Sequence, residues 1–404
     1  MAVVLVGFAE SLAAIETIWD LLDSGHDVRA FSRGGRTPPI GHDRRVRVTP
    51  VTPPERDVDA TIRDVVRLAD RLGGPVCMPL DDAAVLVLDR VAAERPDLVV
   101  AGPVRAQARL ALDKRVQLDA AARAGLLVPA TLVVEPGSTP GLPPGPPPWI
   151  VKPALALEVV GGRVTKGGAR FVATLDELHE ELGSRHDTVL VQPALRGGGI
   201  GVFGVAVSGS ALAVSGHERV RMMNPSGSGS SACVSREPAA TMREAADTFV
   251  GIVGWQGLFM LELLEDADRQ AWFMELNGRP WGSMALATAR GLHYPSWTVA
   301  AALGRPVDVG PSPDTRPVLA RHLGREALHL AFVVRGRIEA RRRSRHGLSP
   351  RPDLALYPTV LTTLRSLLTW SRGSRLYNAR RRRLRVLAAD TLATLRDAIP
   401  ARGR

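Results

Sequence analysis

Two glutamates set inside hydrophobic sequence carry the chemistry of this chain. Glu262 lies in the apolar run 258–264 and Glu275 in the run 271–276, with Asn277 and Arg279 following Glu275 at two-residue steps. A carboxylate in such a run is costly unless something positive satisfies it. The polar stretch between the runs, with Glu265, Asp266, Asp268 and Arg269, predicts a hairpin. Side chains alternate along a strand, so Glu275 and Asn277 share a face. Few, hard oxygen donors are what Mg2+ takes when phosphates complete its shell. A planar guanidinium at Arg279 suits phosphate oxygens. Either glutamate alone reads as a carboxylate paired with an arginine; together with Asn277 and Arg279 they read as phosphate and divalent-cation chemistry.

Lysine usage points the same way. Lys and Arg together number 52, yet only Lys114, Lys152 and Lys166 are lysines. Where Arg has displaced Lys almost everywhere, the survivors mark places that need a compact point charge. Lys152 ends the apolar stretch Trp149-Ile150-Val151, Lys114 opens a helical run, and Lys166 sits in a glycine-flanked stretch that reads as a solvated loop.

The pattern Glu262…Glu275-x-Asn277-x-Arg279, followed by Trp281-Gly282-Ser283, resembles the ATP-grasp superfamily, in particular its carbamoyl-phosphate-synthase-like and carboxylate–amine ligase members. Gly278 stands where those members commonly carry Pro, and Pro280 where an aromatic is common. The resemblance covers about residues 1–310 and is specific from 149 to 284. It implies ATP with Mg2+ (or Mn2+) as cofactors, the ion held by Glu262, Glu275 and Asn277. It further implies Lys114, Lys152 and Arg279 on the phosphates. Gln192 and the backbone at Ala194 and Leu195, just past the strand that Pro193 interrupts, would meet the adenine edge. No acidic residue follows in the Arg196–Gly204 turn, which leaves the ribose contact unassigned. Arg219, in an alternating strand with Arg221, would serve the acceptor site with the Ser/Gly loop 224–233, which reads equally as a solvated linker. His217 reads as a packed strand residue.

The fold class follows: α/β and α+β. Strand and helix alternate over 1–110 (strands near 3–7, 28–31, 76–79 and 99–101; helices near 11–24, 59–72 and 83–94), which predicts a parallel α/β domain. The turn after the first strand lacks GxGxxG, so it is no dinucleotide site, and Asp81-Asp82 at a strand end read as helix caps, with a place at the acceptor site as the alternative. The resemblance makes this a pre-ATP-grasp domain. Residues 111–148 read as a helical linker ending in a Pro/Gly stretch, 149–195 as the small lobe, 196–310 as the large lobe, and 311–404 as an Arg-rich helical extension.

The net charge of +11 belongs to the end of the chain: residues 331–404 carry 18 Arg against four acids, leaving about −3 for residues 1–330. Nucleic-acid binding is not expected, because interleaved aromatics and a recognisable module are missing. The basic clusters flank the apolar run 354–370, which predicts packed helices, while contact with a membrane surface or carrier protein stays open. So does a homodimer. Two distant cysteines, no basic leader and no long apolar run predict a cytoplasmic protein.

The expected activity is ATP-dependent phosphorylation of a small-molecule carboxylate to an acyl phosphate, captured by an amine. A phosphotransferase acting on a non-carboxylate, or a nucleotide-binding module recruited by its basic tail, are the alternatives.

Overall fold

The opening strand Val3–Gly7 is almost wholly apolar and lies at the centre of a four-stranded parallel sheet, flanked by Asp27–Arg33 and Val76–Pro79, with Arg47–Val51 outside Asp27–Arg33. In a computed structural model, all residues are described except 139–140, 226, 228, 311–315, 347–353, 355–356, 371–372 and 399–404. Helices Ala14–Asp23, Val58–Arg71 and Asp82–Glu94 cover this sheet, burying Trp19, Phe31 and Leu88 completely. The strand Arg47–Val51 escapes a pattern reading because Pro50 and two polar residues break the alternation, and Pro is tolerated there because the strand is an edge. The strand expected at 99–101 is reduced to a single bridge between Cys77 and Val100.

The small lobe is an antiparallel sheet in the order Leu132–Val134, Val189–Pro193, Trp149–Pro153, Arg170–Val172, covered by the helix Leu175–Gly183. Residues 132–134, expected in a helical linker, pair instead with 189–191. Trp149, Val151, Val189 and Val191 point into the core under that helix. The intervening residues, Lys152 and Gln192 among them, therefore share the opposite face.

The large lobe is a seven-stranded sheet whose first five strands are Ala271–Asn277, Gly257–Glu265, Gly198–Val207, Ser210–Met222 and Ser230–Arg236. Leu319–Arg321 and Ser374–Leu376 complete it, so the sheet runs well past residue 310 into the basic extension. The long helix Leu323–Arg345 is fastened to this sheet by an ion network: Glu326 takes Arg221 at 2.7 Å and Arg321 at 2.5 Å, all three side chains being under 10% exposed. Arg221 thus has a structural partner apart from that of Arg219, which meets Glu262 instead. Removing the acid from a buried network leaves two guanidiniums uncompensated, so Glu326→Ala should cost about 3–5 kcal/mol of stability, read by urea denaturation. A loss below about 1 kcal/mol would show that the extension is not anchored here.

The apolar run 354–370 packs less than its composition predicts. Its helix Val360–Leu368 buries Thr363, while Leu361, Leu364, Leu368 and Trp370 stay exposed. Nine residues make two and a half turns, and only one side of so short a helix meets the neighbouring helix. Among the described residues, no helix is long and apolar enough to cross a membrane.

Candidate active site

The expected hairpin forms, and its register places Glu262 directly opposite Glu275. Like charges facing each other across a strand pair destabilise it. Part of the answer is local: Arg219 Nη2 lies 2.7 Å from Glu262 Oε1. The guanidinium reaches Glu262 by crossing the intervening strand at Gly199, where a Cβ would stand 2.6 Å from Arg219 Cδ. Gly199 thus leaves a passage for a side chain within a strand. Glu275 keeps the remaining strain: desolvation, then Glu262, raise its pKa above the usual carboxylate value.

The lysines come from two other elements. Lys152 faces this hairpin from the small lobe, opposite Leu190. Desolvation pushes its pKa down to about 8, against the pull of Glu275. Lys114 is the first residue of the helix Lys114–Arg123, behind the capping side chain of Asp113. Its amide donates to the Ala154 carbonyl at 2.9 Å, and the Ala156 amide donates to Leu112 at 2.8 Å, so the helix start is tied to the continuation of the Lys152 strand. Gln117, one turn on, does the same toward the hairpin. Its Oε1 accepts from the Leu276 amide at 2.9 Å while Nε2 donates to Leu110 and Ala111. This clamp sets Lys114 against Glu275 and Asn277, and no local pattern in the sequence marks it.

Arg279 is held by Asp82 at 3.0 Å, and Lys166 reaches the same carboxylate at 3.6 Å although its side chain is 70% exposed. Only half of the capping expectation holds. Asp81 caps the helix Asp82–Glu94 through the Ala84 amide, whereas Asp82 turns into the site. Gly278 is explained by packing: a Cβ there would meet the Trp255 ring at 2.7 Å, so this chain has filled with an indole the space other residues would need.

Lys114, Lys152, Glu262, Glu275, Asn277 and Arg279 all line one cavity of about 330 Å³ between the lobes. Gln192 is on the Lys152 face, its Nε2 donating to Thr131 Oγ1 at 2.7 Å. The Ala194 amide already donates to the Pro148 carbonyl at 2.9 Å, so Ala194 has only its carbonyl to offer an adenine edge. His217 is buried, bonded through Nδ1 to Ser283 at 2.5 Å, and held neutral by desolvation with a pKa of about 3. Of the Ser/Gly loop, residues 226 and 228 lie outside the described residues and 230–236 form a strand. Among the described residues no three His, Cys, Asp or Glu gather as a metal cluster. The side-chain oxygens of the cavity come from Asp82, Glu262, Glu275, Asn277 and Gln117, of which Asp82 is engaged by Arg279 and Gln117 by the Leu276 amide.

Fold and cavity together define an ATP-grasp architecture: a parallel α/β domain, a small antiparallel lobe and a large antiparallel lobe, with the charged cleft between the lobes. The same fold is found in the L-amino acid ligase from Bacillus licheniformis (16% identity, 78% of each chain, TM-score 0.59). It is found in the biotin carboxylase domain of Hydrogenobacter thermophilus 2-oxoglutarate carboxylase, in complex with MgADP, ADP and bicarbonate (15% identity, 79% of this chain and 73% of that one, TM-score 0.58). N5-carboxyaminoimidazole ribonucleotide synthetase from Thermotoga maritima shares it too (16% identity, 79% and 80%, TM-score 0.54). No protein-family model and no curated protein sequence matches the chain. At these identities the likeness is one of fold.

Proposed function

We propose that the chain is an ATP-dependent ligase that converts a small-molecule carboxylate to an acyl phosphate and joins it to an amine, releasing ADP and phosphate. The observation that carries this reading is the convergence of three lysines, an arginine, three carboxylates and two side-chain amides on one inter-lobe cavity. The facing pair Glu262 and Glu275 fits a divalent cation, because two carboxylates directly opposite each other on one hairpin present hard oxygen donors to a single point. Glu262, Glu275 and Asn277 would hold Mg2+, which supplies neutralisation of charge between phosphate oxygens.

The chain's own residues do the positioning, which is most of what phosphoryl transfer asks of a protein. Lys152 and Lys114 present ammonium groups to phosphate oxygens from the small lobe and from the helix start. Arg279, oriented by Asp82, offers its fork to the transferred group. Arg219 acts as a positioning residue, holding Glu262 in the rotamer that faces Glu275. The Ala194 carbonyl and the Leu195 amide meet adenine, with Gln192 beneath them. The acceptor carboxylate oxygen attacks the γ-phosphorus and ADP departs with the bond electrons. The amine nitrogen then attacks the acyl carbon and inorganic phosphate leaves, the amine proton passing to solvent.

The MgADP bound to the Hydrogenobacter domain and the ligase activity named for the Bacillus protein support this reading. Incubation with ATP, Mg2+, a panel of amino and organic acids and hydroxylamine tests it. ADP together with an acyl hydroxamate is expected. ADP with a phosphorylated non-carboxylate product would establish the phosphotransferase alternative, and AMP as product would overturn both.

A further inference from the structure

A second, larger cavity of about 810 Å³ opens between the first turn of the parallel domain and two helices of the basic extension. Glu10, Leu12, Arg36, Arg325, Arg385 and Arg396 are among its walls. It adjoins the inter-lobe cleft: Leu12 packs against the segment after Arg279, 2.4 Å from where a Cβ of Gly282 would stand. A chain of charges leads the same way, from Glu10 to Arg33 at 3.9 Å, from Arg33 to Asp81 at 3.1 Å, and from the neighbouring Asp82 to Arg279 at 3.0 Å.

The acids of this cavity are spoken for. Asp397 takes Arg36 at 3.4 Å, and Asp390 accepts from Asn378 at 2.8 Å with His322 at 3.0 Å. Three of its arginines are not. Among the described residues Arg385 and Arg396 meet no carboxylate within ion-pair distance. Neither does Arg325, whose one side-chain hydrogen bond is donated to the Ser230 carbonyl at 3.1 Å. Arg325 is the consequential one, because it is partly buried and desolvation lowers its pKa from 12.5. A desolvated guanidinium with four unused N–H donors costs stability unless an anion meets it. Glu10 does not supply that anion, since burial raises its pKa to about 7 and Arg33 is its neighbour.

Resting on the ligase reading above, we infer that this cavity is the acceptor-substrate subsite and that Arg325 anchors a second carboxylate of that substrate, distinct from the one that is phosphorylated. The volume admits a ligand well beyond a single amino acid. The substrate class is a small molecule with at least two carboxylates, and the planar fork of Arg favours a carboxylate over a point-like anion.

Succinate serves as the probe, with butyrate and inorganic phosphate as its controls, titrated calorimetrically into the full chain and into Arg325→Gln, Arg325→Lys and Ala389→Trp. The last narrows the cavity from the neighbouring helix Leu384–Asp397 while leaving the Arg325 guanidinium in place. Wild type should bind succinate in the millimolar range and at least tenfold more tightly than butyrate. Arg325→Gln and Ala389→Trp should each lose tenfold or more, and Arg325→Lys should recover part. Binding of adenylyl imidodiphosphate with Mg2+ should be unchanged in all three variants. Equal succinate affinity in wild type and Arg325→Gln, no succinate binding at tens of millimolar, or tighter binding of phosphate than of succinate would each overturn the assignment. Failure of wild type to bind the nucleotide analogue would instead overturn the ligase reading, leaving the succinate result to be judged separately.

Discussion

Glu275→Gln should lower ATP-dependent turnover by about 100-fold or more, the scale on which single preorganised electrostatic groups act, while the protein becomes no less stable. The two effects have one cause. Desolvation and Glu262 raise the Glu275 pKa above 4.5, so the native state holds that proton more tightly than the unfolded chain does. Ionising it therefore costs stability, and the cost grows as pH climbs from 4.5 through the raised value. A neutral amide of the same shape removes the cost together with the charge. Melting curves in metal-free buffer at neutral pH should show Glu275→Gln at or above wild type. Asn277→Asp should move the other way, adding a third carboxylate to the cluster and lowering the melting temperature. Wild-type kinetics for Glu275→Gln, or a clear drop in its melting temperature, would remove Glu275 from the proposed ligand set.

Lys152→Ala should weaken ATP binding by roughly 10- to 150-fold, the equivalent of one hydrogen bond to a charged group. Lys166→Ala should cost at most about fivefold, because an exposed ammonium contributes on the scale of a surface pair. The pH dependence separates the two further. With its pKa lowered from 10.5 to about 8, Lys152 is charged below that value and neutral above it. Charging it costs the native state, so its contribution to stability improves as pH rises from 8 to 10.5. Phosphate binding runs in the opposite sense, since it requires the ammonium: affinity should fall as pH rises beyond about 8. Calorimetric titrations between roughly pH 7 and 9.5 should show that decline in wild type and in Lys166→Ala, and lose it in Lys152→Ala. An unchanged pH profile in Lys152→Ala would place the phosphates elsewhere. Lys152→Arg is a stringent companion, because a broad fork does not fit where a point charge sits.

Much of the cleft is legible without a structure because its chemistry is written at strand period. Glu275 and Asn277 step by two along one strand with Arg279 two residues past its end, and Lys152 closes an apolar run in a chain that has almost abandoned lysine. Burial and alternation are local properties, and they survive in a one-dimensional pattern. The hairpin, the parallel first domain and the packed His217 are readable for the same reason.

What tertiary structure alone decided are pairings between residues far apart in the chain. Asp82 looks like a cap and becomes the partner of Arg279, nearly two hundred residues away. Gln117 is one glutamine in a helix until its amide meets the backbone of Leu276. Gly199 is one glycine among several in a turn until Arg219 is seen to need it out of its way. The basic extension reads as an appendage, yet 319–321 and 374–376 finish the large sheet. Each of these turns on a single side chain or a three-residue strand, too short to set up a period. Each is selected by the free energy of satisfying a charge or a backbone amide that only the folded chain brings near.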